Sequence, residues 1–412
     1  MARQIKGSWI EEYLRYTHGQ ESPESFHTWV ALVIIASVLD RKIFLDRKIF
    51  KVPTNIYVFL IAGTSKCHKS SAIGIGERIL KKFKAKQDRS KKFPRIFAQK
   101  ITNERLIQFL GERTDTESSD ENDNDNKVRK KASGLILASE LSTFMGANAM
   151  HSGLLATLTD LYDCPDDWSY QTKNKGEDEL HNVYLNMLGA STAKWLRAAI
   201  PVEAVGGGIM SRTAFVYAEE PKRLIPFPED EVPEDYDAIQ DRLINDLIHI
   251  SQLEGNFSFS KCGKKWYRKF YSDNAEETME RGKYADFFSR WDIFVLKVAM
   301  LISVSRKDEL VLYEEDLKAA HALLQDVKEN MHPVLDTMVV ADTQLPTAEV
   351  MKILRRREEM ARSDIFNIAR SFASGEQIKE ILSTLQESGE IEAEIKSNGI
   401  TTYRVTERAR LE

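Results

Sequence analysis

The chain has 412 residues, 42% of them hydrophobic and 29% charged, with a formal net charge of −5. That length exceeds one compact core and leaves room for two or three domains, and the balance is that of an ordinary globular protein. It excludes a globally basic nucleic-acid coat, and the scattered Cys67, Cys164 and Cys262 exclude a disulfide frame or a zinc cluster.

No apolar run reaches the roughly 18 residues of a membrane span. Val30–Leu39 (VALVIIASVL) comes nearest and reads as a buried helix. Glu11 and Glu12 interrupt the N-terminus where a secretory signal needs apolar residues, so a cytoplasmic protein with no membrane partner is expected.

In chain order, Ser8–Leu39 reads as helical with a break at Gly19–Pro23. Lys42–Phe50 and Asn55–Ile61 read as strands, rich in Ile, Phe, Tyr and Val. Ser70–Lys86 returns to helical spacing, Arg95–Gln99 is a short strand and Asn103–Gly111 a helix. A basic run from Arg78 to Lys92 precedes an acidic one from Glu112 to Asp125, and Thr114–Lys131 has the composition of a loop. The basic run reads as a solvated helix end or as the lining of a nucleic-acid path. Gly134–Ala138, Tyr184–Gly189 and Thr213–Tyr217 are short apolar strands of the buried, parallel kind.

Strands alternating with helices imply a doubly wound α/β core, closed by the proline-punctuated stretch Pro221–Pro233. Tyr236–Val334 reads as almost wholly helical. After Asp342 come three helices and a hairpin turning at Ser397-Asn398-Gly399, the layout of a winged helix. The segments expected are 1–50 (helical), 51–222 (core), 223–335 (helical, lid-like) and 336–412 (winged helix). No internal repeat is evident.

Two segments carry the chemistry. Ile56–Glu77 reads IYVFLIAGTSKCHKSSAIGIGE, an apolar strand, a loop from Gly63, and a helix opening at Lys69-Ser70. A phosphate-binding loop needs inward-facing amides, a helix N-terminus, a lysine for the β- and γ-phosphates, and a hydroxyl for magnesium. The candidate binding residues are Gly63, Thr64, Ser65, Lys66, Cys67, His68, Lys69, Ser70 and Ser71. His68 stands where the usual pattern has glycine, removing a residue tolerant of unusual backbone angles.

The second segment, Gly134–Gly146 (GLILASELSTFMG), places Glu140 at a strand end. There it can polarise a water or share magnesium with Ser70. Ser139 replaces the more common Asp and is also a good N-cap, so Glu140 alternatively reads as a helix-capping residue. The cluster Asp160, Asp163, Asp166 and Asp167 reads as a helix end and turn.

The order of segments resembles a family of phage and mobile-element proteins with a helicase-type ATPase domain. The matching stretches are Ser22–Arg41 (SPESFHTWVALVIIASVLDR), Asn55–Ile73, Ala138–Phe144 (ASELSTF), Leu158–Tyr170 (LTDLYDCPDDWSY) and Leu185–Tyr217. Together they span roughly residues 8 to 330. The family often has a basic residue in place of the glycine before the lysine, which fits His68. The fold implied is a P-loop NTPase core of the RecA/AAA+ kind, with helical extensions and a C-terminal winged helix.

The logic is similar to that of ring ATPases such as the minichromosome maintenance helicases. The resemblance implies a γ-phosphate sensor among Asn186, Ser191 and Thr192, with Ser191-Thr192 better placed after the strand. It implies that Arg212, after Gly206-Gly207-Gly208, is an arginine finger entering the neighbouring subunit's site. It also implies that Arg290, opening the apolar helix at Trp291, contacts the nucleotide in cis or in trans. A surface strand-edge position accounts for Arg212 equally well, and an interfacial salt bridge for Arg290.

The expectation is an ATP- and Mg2+-dependent DNA helicase or translocase, ring-forming and hexameric. It would act on single-stranded or forked DNA, with primase or other replication proteins as partners. In the last domain 11 basic residues face 12 acidic ones after Asp342. A local basic face from Arg355, Arg356, Arg357, Arg404, Arg408 and Arg410 competes with a protein-binding role. Two readings stay open beside the motor: a nucleotide-switched DNA-binding or assembly factor, and a structural protein with a decayed site.

Overall fold

The computed structural model describes residues 2–64, 66–87, 95–98, 100–111, 131–145, 153–172, 176–199, 208–279, 289–339, 344–355, 357, 359–370, 373–397, 399, 401–406 and 409. The chain divides into two compact units, Met1–Leu335 and Asp336–Glu412.

The larger unit opens with helices α1 (Trp9–Tyr16) and α2 (Glu24–Leu39). Every residue of α2 from Phe26 to Leu39 is buried, so VALVIIASVL is the central helix of a packed core. Strands β1 (Ile43–Asp46), β2 (Lys51–Pro53) and β3 (Tyr57–Ile61) follow, then α3 (Lys69–Lys86), β4 (Arg95–Phe97) and α4 (Asn103–Gly111). Next come β5 (Ser133–Ala138), α5 (Leu141–Met145), α6 (Leu154–Tyr162), β6 (Asp167–Thr172), β7 (Gly176–His181), β8 (Tyr184–Ser191), α7 (Ala193–Ala199) and β9 (Thr213–Tyr217). The unit closes with α8 (Tyr236–Ile250), β10 (Gly255–Phe259), α9 (Lys261–Met279), α10 (Trp291–Arg306) and β11 (Val311–Leu312), followed by α11 (Glu314–Val339).

The central sheet runs β4-β5-β8-β3-β9 with all strands parallel. β3 and β8 are buried at every position. A strand alternates its side chains between faces, so burial throughout means that both faces are covered. β8 lies between β3 and β5, separating the loop-bearing strand from the one ending at Glu140. Helices α2 and α3 approach closely at Gly76, where a Cβ would stand 2.6 Å from Val30 Cγ1.

A second sheet, β11-β10-β1-β2, departs from the sequence reading. Tyr236–Val334 is not almost wholly helical, and the strand expected over Lys42–Phe50 stops at Asp46 and returns as β2. β10 is five residues with one fully buried side chain, Phe257, and pairs with β1, distant in sequence, and with β11. So short a strand has no readable periodicity; long-range pairing makes it.

β6 and β7 form an antiparallel hairpin where only a helix end and turn were expected. The sequence also holds a short direct repeat that is easily passed over: Asp40–Phe44 and Asp46–Phe50 both read DRKIF. The first copy enters β1 and buries Ile43. The second makes the β1–β2 turn, closed by Arg47 N donating to Phe50 O at 2.9 Å.

The smaller unit has helices α12 (Gln344–Arg355), α13 (Arg362–Ala369) and α14 (Gly375–Glu387). Its sheet runs β12-β14-β13, from Met360–Ala361, Thr401–Val405 and Ile391–Ile395. Ile365, Ile378, Ile381, Leu382 and Ile391 lie in its core. Ser374 and Gln377 form a capping box at the start of α14. Among the described residues, no helix of the chain is long and apolar enough to cross a membrane.

Candidate functional site

The sequence-predicted loop joins the C-terminal end of β3 to α3. Gly63, Thr64, Lys66, His68, Ser70 and Ser71 are exposed there, while Cys67 and Lys69 are buried. Ser65 lies outside the described residues. Cys67 and His68 are consecutive left-handed residues, with φ of 61° and 46°. Side chains other than glycine's adopt that region at a cost of roughly 1–2 kcal/mol. The loop therefore keeps a glycine-type conformation where glycine itself is missing.

Elements around the loop hold it in that shape. His68 Nε2 meets Glu21 Oε2 at 2.7 Å, and Ser22 Oγ donates to the His68 carbonyl at 3.1 Å. Glu21 also accepts from Ile225 N at 2.8 Å. The break between α1 and α2 thereby ties the loop to the stretch after β9. Glu21 and Ser22 are positioning residues that the sequence reading assigned no role, although SPESFH stood among the matching stretches. Cys67 Sγ faces the Ala218 carbonyl at 3.7 Å, and burial pushes its thiol pKa up.

Lys69 donates from Nζ to the carbonyls of Ala62 at 3.0 Å and Gly63 at 2.9 Å. An ammonium has three donors, so one remains for a ligand over the loop. Burial lowers its pKa, while Glu140 acts in the opposite direction. Helix α3 has no side-chain N-cap and no acid in its first turn, which leaves its positive end open to an anion.

Ser70 Oγ donates to the Ser139 carbonyl at 3.3 Å. This bond ties the first turn of α3 to the end of β5, two strands from the loop-bearing strand. Glu140 follows and is exposed, its Oε1 accepting from Ser142 Oγ at 3.0 Å. Ser70 and Glu140 therefore flank one space. Among the described residues, no group of three or more His, Cys, Asp or Glu could hold a metal. A hydroxyl and a carboxylate suit magnesium, which takes few protein ligands and keeps its waters.

Ser191 is buried at the end of β8, paired with Ile61, and its carbonyl accepts from Ala62 N at 3.4 Å. Thr192 caps α7, its Oγ1 accepting from Trp195 N at 3.2 Å. Asn186 lies lower in the strand, its Oδ1 accepting from Ile56 N at 2.9 Å. Of the three sensor candidates, only Ser191-Thr192 stands beside the loop.

Arg212 and Arg290 are elsewhere. Thr213 is level with Tyr57 in the parallel register, so Arg212 sits below the loop by about 16 Å at roughly 3.3 Å per residue. Its Nη2 donates to Asp163 Oδ2 at 2.7 Å and its Nη1 to Gly208 O at 2.9 Å. Arg290 Nη1 donates to Asp163 Oδ1 at 3.1 Å. Arg290 thus shares the Asp163 carboxylate with Arg212. Behind this corner Lys297 is buried, its Nζ donating to Asn55 O at 3.0 Å and Asn55 Oδ1 at 2.6 Å and lying 4.0 Å from the Tyr162 ring centroid. Burial pulls its pKa down to about 8.

The basic run after the loop is partly consumed internally. Lys82 bonds Gln240, and Lys86 faces Asp241 of α8 at 3.8 Å; Arg89, Lys91 and Lys92 lie outside the described residues. In the smaller unit Arg404 pairs with Glu392 at 2.7 Å, and Arg355 donates to the Ala409 carbonyl at 2.8 Å. Arg356, Arg408 and Arg410 lie outside the described residues.

No protein-family model matches the chain, and a search of the curated proteins finds no match.

Proposed function

We propose that this chain is an ATP-hydrolysing motor of the helicase type, a P-loop ATPase with an AAA+-like core that works as a ring on DNA. The observation that carries the reading is the Ser70–Ser139 bond. It sets a free helix N-terminus, a lysine and a hydroxyl opposite the Glu140 carboxylate, across one intervening strand. Strands lie about 4.8 Å apart, so the end of β5 stands about 10 Å from the loop-bearing strand. That gap has room for a terminal phosphoryl group and the water that attacks it.

In this reading the loop amides and the third donor of Lys69 hold the β- and γ-phosphates of ATP. Ser70, and Glu140 through water, would hold a magnesium ion, which would supply neutralising charge for the phosphoryl oxygens. Glu140 accepts the proton of the attacking water as the new P–O bond forms and the bond to the β-phosphate breaks, releasing ADP. Ser191-Thr192 senses the γ-phosphate. Arg212, held at Asp163 away from its own loop, acts in this reading on a neighbour's phosphate in a hexamer. The smaller unit, a winged helix in this reading, serves protein contacts, since Lys396 and Arg404 of its hairpin pair with Glu359 and Glu392. Phage or mobile-element replication in the cytoplasm, alongside a primase, is the setting that fits.

Glu140→Gln should bind ATP as tightly as wild type and hydrolyse it at least about 100-fold more slowly. Lys69→Ala should lose ATP affinity. Hydrolysis by Glu140→Gln at the wild-type rate would sink the assignment. A second reading, a nucleotide-switched assembly factor, is favoured by the Arg212–Asp163 pairing; ATP-dependent strand displacement on forked DNA excludes it.

A further inference from the structure

The two DRKIF copies form an internal comparison. In the first, Arg41 pairs with Asp166, Lys42 bonds the Ser251 carbonyl and Ile43 is buried. In the second, at the β1–β2 tip, Lys48 is exposed, Ile49 is 89% exposed and Phe50 47%. The same five residues build the core once and are presented to solvent once. Exposed apolar side chains grouped on a turn tip and flanked by cations are a candidate contact surface.

The tip does not stand alone. The Arg47 guanidinium lies 5.5 Å from the ring centroids of both Phe259 and Tyr267, which joins the tip to α9. Tyr267 in turn lies 6.3 Å from Tyr271, which is 53% exposed. Along the same side of α9, Lys261, Lys264 and Arg268 are exposed, with Lys265 and Lys269 flanking them. At this helical spacing their Cβ atoms stand about 5–6 Å apart, which makes a row of cations beside the rings. Among the described residues, none of these α9 cations, nor Lys48 or Lys51, forms an ion pair with a carboxylate. Asp46 and Asp292 are acids that interact with the tip. Asp46 Oδ1 accepts from Lys48 N at 2.7 Å, and Asp292 interacts electrostatically with Arg47.

We infer that the β1–β2 tip and the adjoining face of α9 bind single-stranded nucleic acid. Unpaired cations meet the phosphates by releasing their counterions. Phe50, Tyr271 and the Arg47 guanidinium, which lies over two rings, offer faces for unstacked bases. A duplex keeps its bases stacked and cannot use those faces. This surface belongs to neither the loop nor the smaller unit, and the inference does not rest on the nucleotide reading.

The test is fluorescence anisotropy of labelled oligothymidine and oligouridine with the full chain, without nucleotide, over a range of salt concentrations. Wild type should bind single strands more tightly than a duplex of equal length; the tighter of the two oligomers identifies DNA or RNA as the source. Lys264→Glu with Arg268→Glu should weaken binding about tenfold or more and flatten the salt slope by about 1.4, at roughly 0.7 per phosphate contact. Phe50→Ala and Tyr271→Ala should each weaken binding about fivefold with the slope unchanged, and Phe50→Trp should restore it. These side chains are exposed, so the melting temperatures should match wild type. Variants that bind like wild type, or a duplex that binds as tightly as the single strand, would overturn the inference. So would variants that lose binding to anionic phosphatidylserine vesicles while keeping oligonucleotide binding, because the surface would then face a membrane.

Discussion

Arg212 is held to Asp163 inside its own chain, by a pair of donors at 2.7 and 3.4 Å to the two carboxylate oxygens. The planar guanidinium fork matches the carboxylate, and the Tyr162 ring lies 6.0 Å beneath it. A neighbour's phosphate would have to compete with this carboxylate. Asp163 also holds Arg290, so one acid sets two arginines. Asp163→Ala, leaving a nearly buried arginine without its partner, should cost about 1–2 kcal/mol in chemical denaturation, reduced from a fully buried pair because Asp163 is half exposed.

The shared-site reading makes a sharper prediction from the same corner. Lys69→Ala and Arg212→Ala chains should each be inactive alone. Mixed in equal amounts, about a quarter of the sites regain an intact loop facing an intact arginine, because ring contacts are head-to-tail. ATPase activity recovered on mixing cannot come from repair of either fold. A mixture as inactive as its components would remove Arg212 from catalysis and leave it a structural partner of Asp163.

His68 occupies a left-handed position that glycine enters without strain. His68→Gly should stabilise the chain by up to about 1 kcal/mol and bind ATP at least as well, since a half-exposed His–Glu pair contributes little. His68→Val, β-branched at the same φ, should destabilise the loop and weaken binding. Urea denaturation and nucleotide titration of the two variants check both halves. Loss of ATP binding in the glycine variant would mean that the imidazole itself touches the ligand.

What the sequence made legible follows from how local each signal is. β3, the loop, α3, α4, β5, β8 and β9 were readable because each is an apolar run or a periodic segment with its own turn signals. Lys69, Ser70 and Glu140 were findable because each adjoins such a boundary. β10 and β11 were not, because β10 pairs with β1 some two hundred positions away in sequence and β11 only with β10. The Asp163 corner was hidden for the same reason: Tyr162, Arg212, Arg290 and Lys297 come from separate elements. The second DRKIF copy was hidden by its likeness to the first, since only the turn at Lys48, with φ of 73°, sends it outward.

Lys297 gives a pH dependence with a definite sign. Burial lowers its folded pKa to about 8 from the ordinary lysine value of 10.5. Between those values the unfolded chain binds the proton and the folded one does not, so stability rises with pH across the window. Cys164, pushed up to about 11 by burial, works the other way. The informative quantity is therefore the stability of wild type minus that of Lys297→Met, in which the bonds to Asn55 set the offset and the proton sets the slope. That difference should grow by on the order of 2–3 kcal/mol from pH 8 to 10.5. A flat difference would show that the ammonium keeps its proton in the fold.

His27 governs the acid side. It is buried in α2, with its ring 6.3 Å from that of Tyr13 and neither ring nitrogen hydrogen-bonded. Burial, with a smaller effect from Lys222, lowers its pKa to about 4, while Glu24 acts in the opposite direction. The unfolded histidine binds its proton near pH 6.5, so the neutral imidazole's contribution is complete above that value and is lost as pH falls toward 4. The loss is on the order of 3 kcal/mol, at about 1.4 kcal/mol for each tenfold change in proton affinity. His27→Leu keeps an apolar body in the site and has no proton to gain, so its denaturation midpoint should fall less steeply between pH 6.5 and 4. Because α2 packs on both α3 and the central sheet, the wild-type loss should appear as cooperative unfolding of the larger unit. Parallel acid limbs for the two proteins would show that the imidazole reaches water in the fold, and the acid sensitivity would then belong to surface carboxylates.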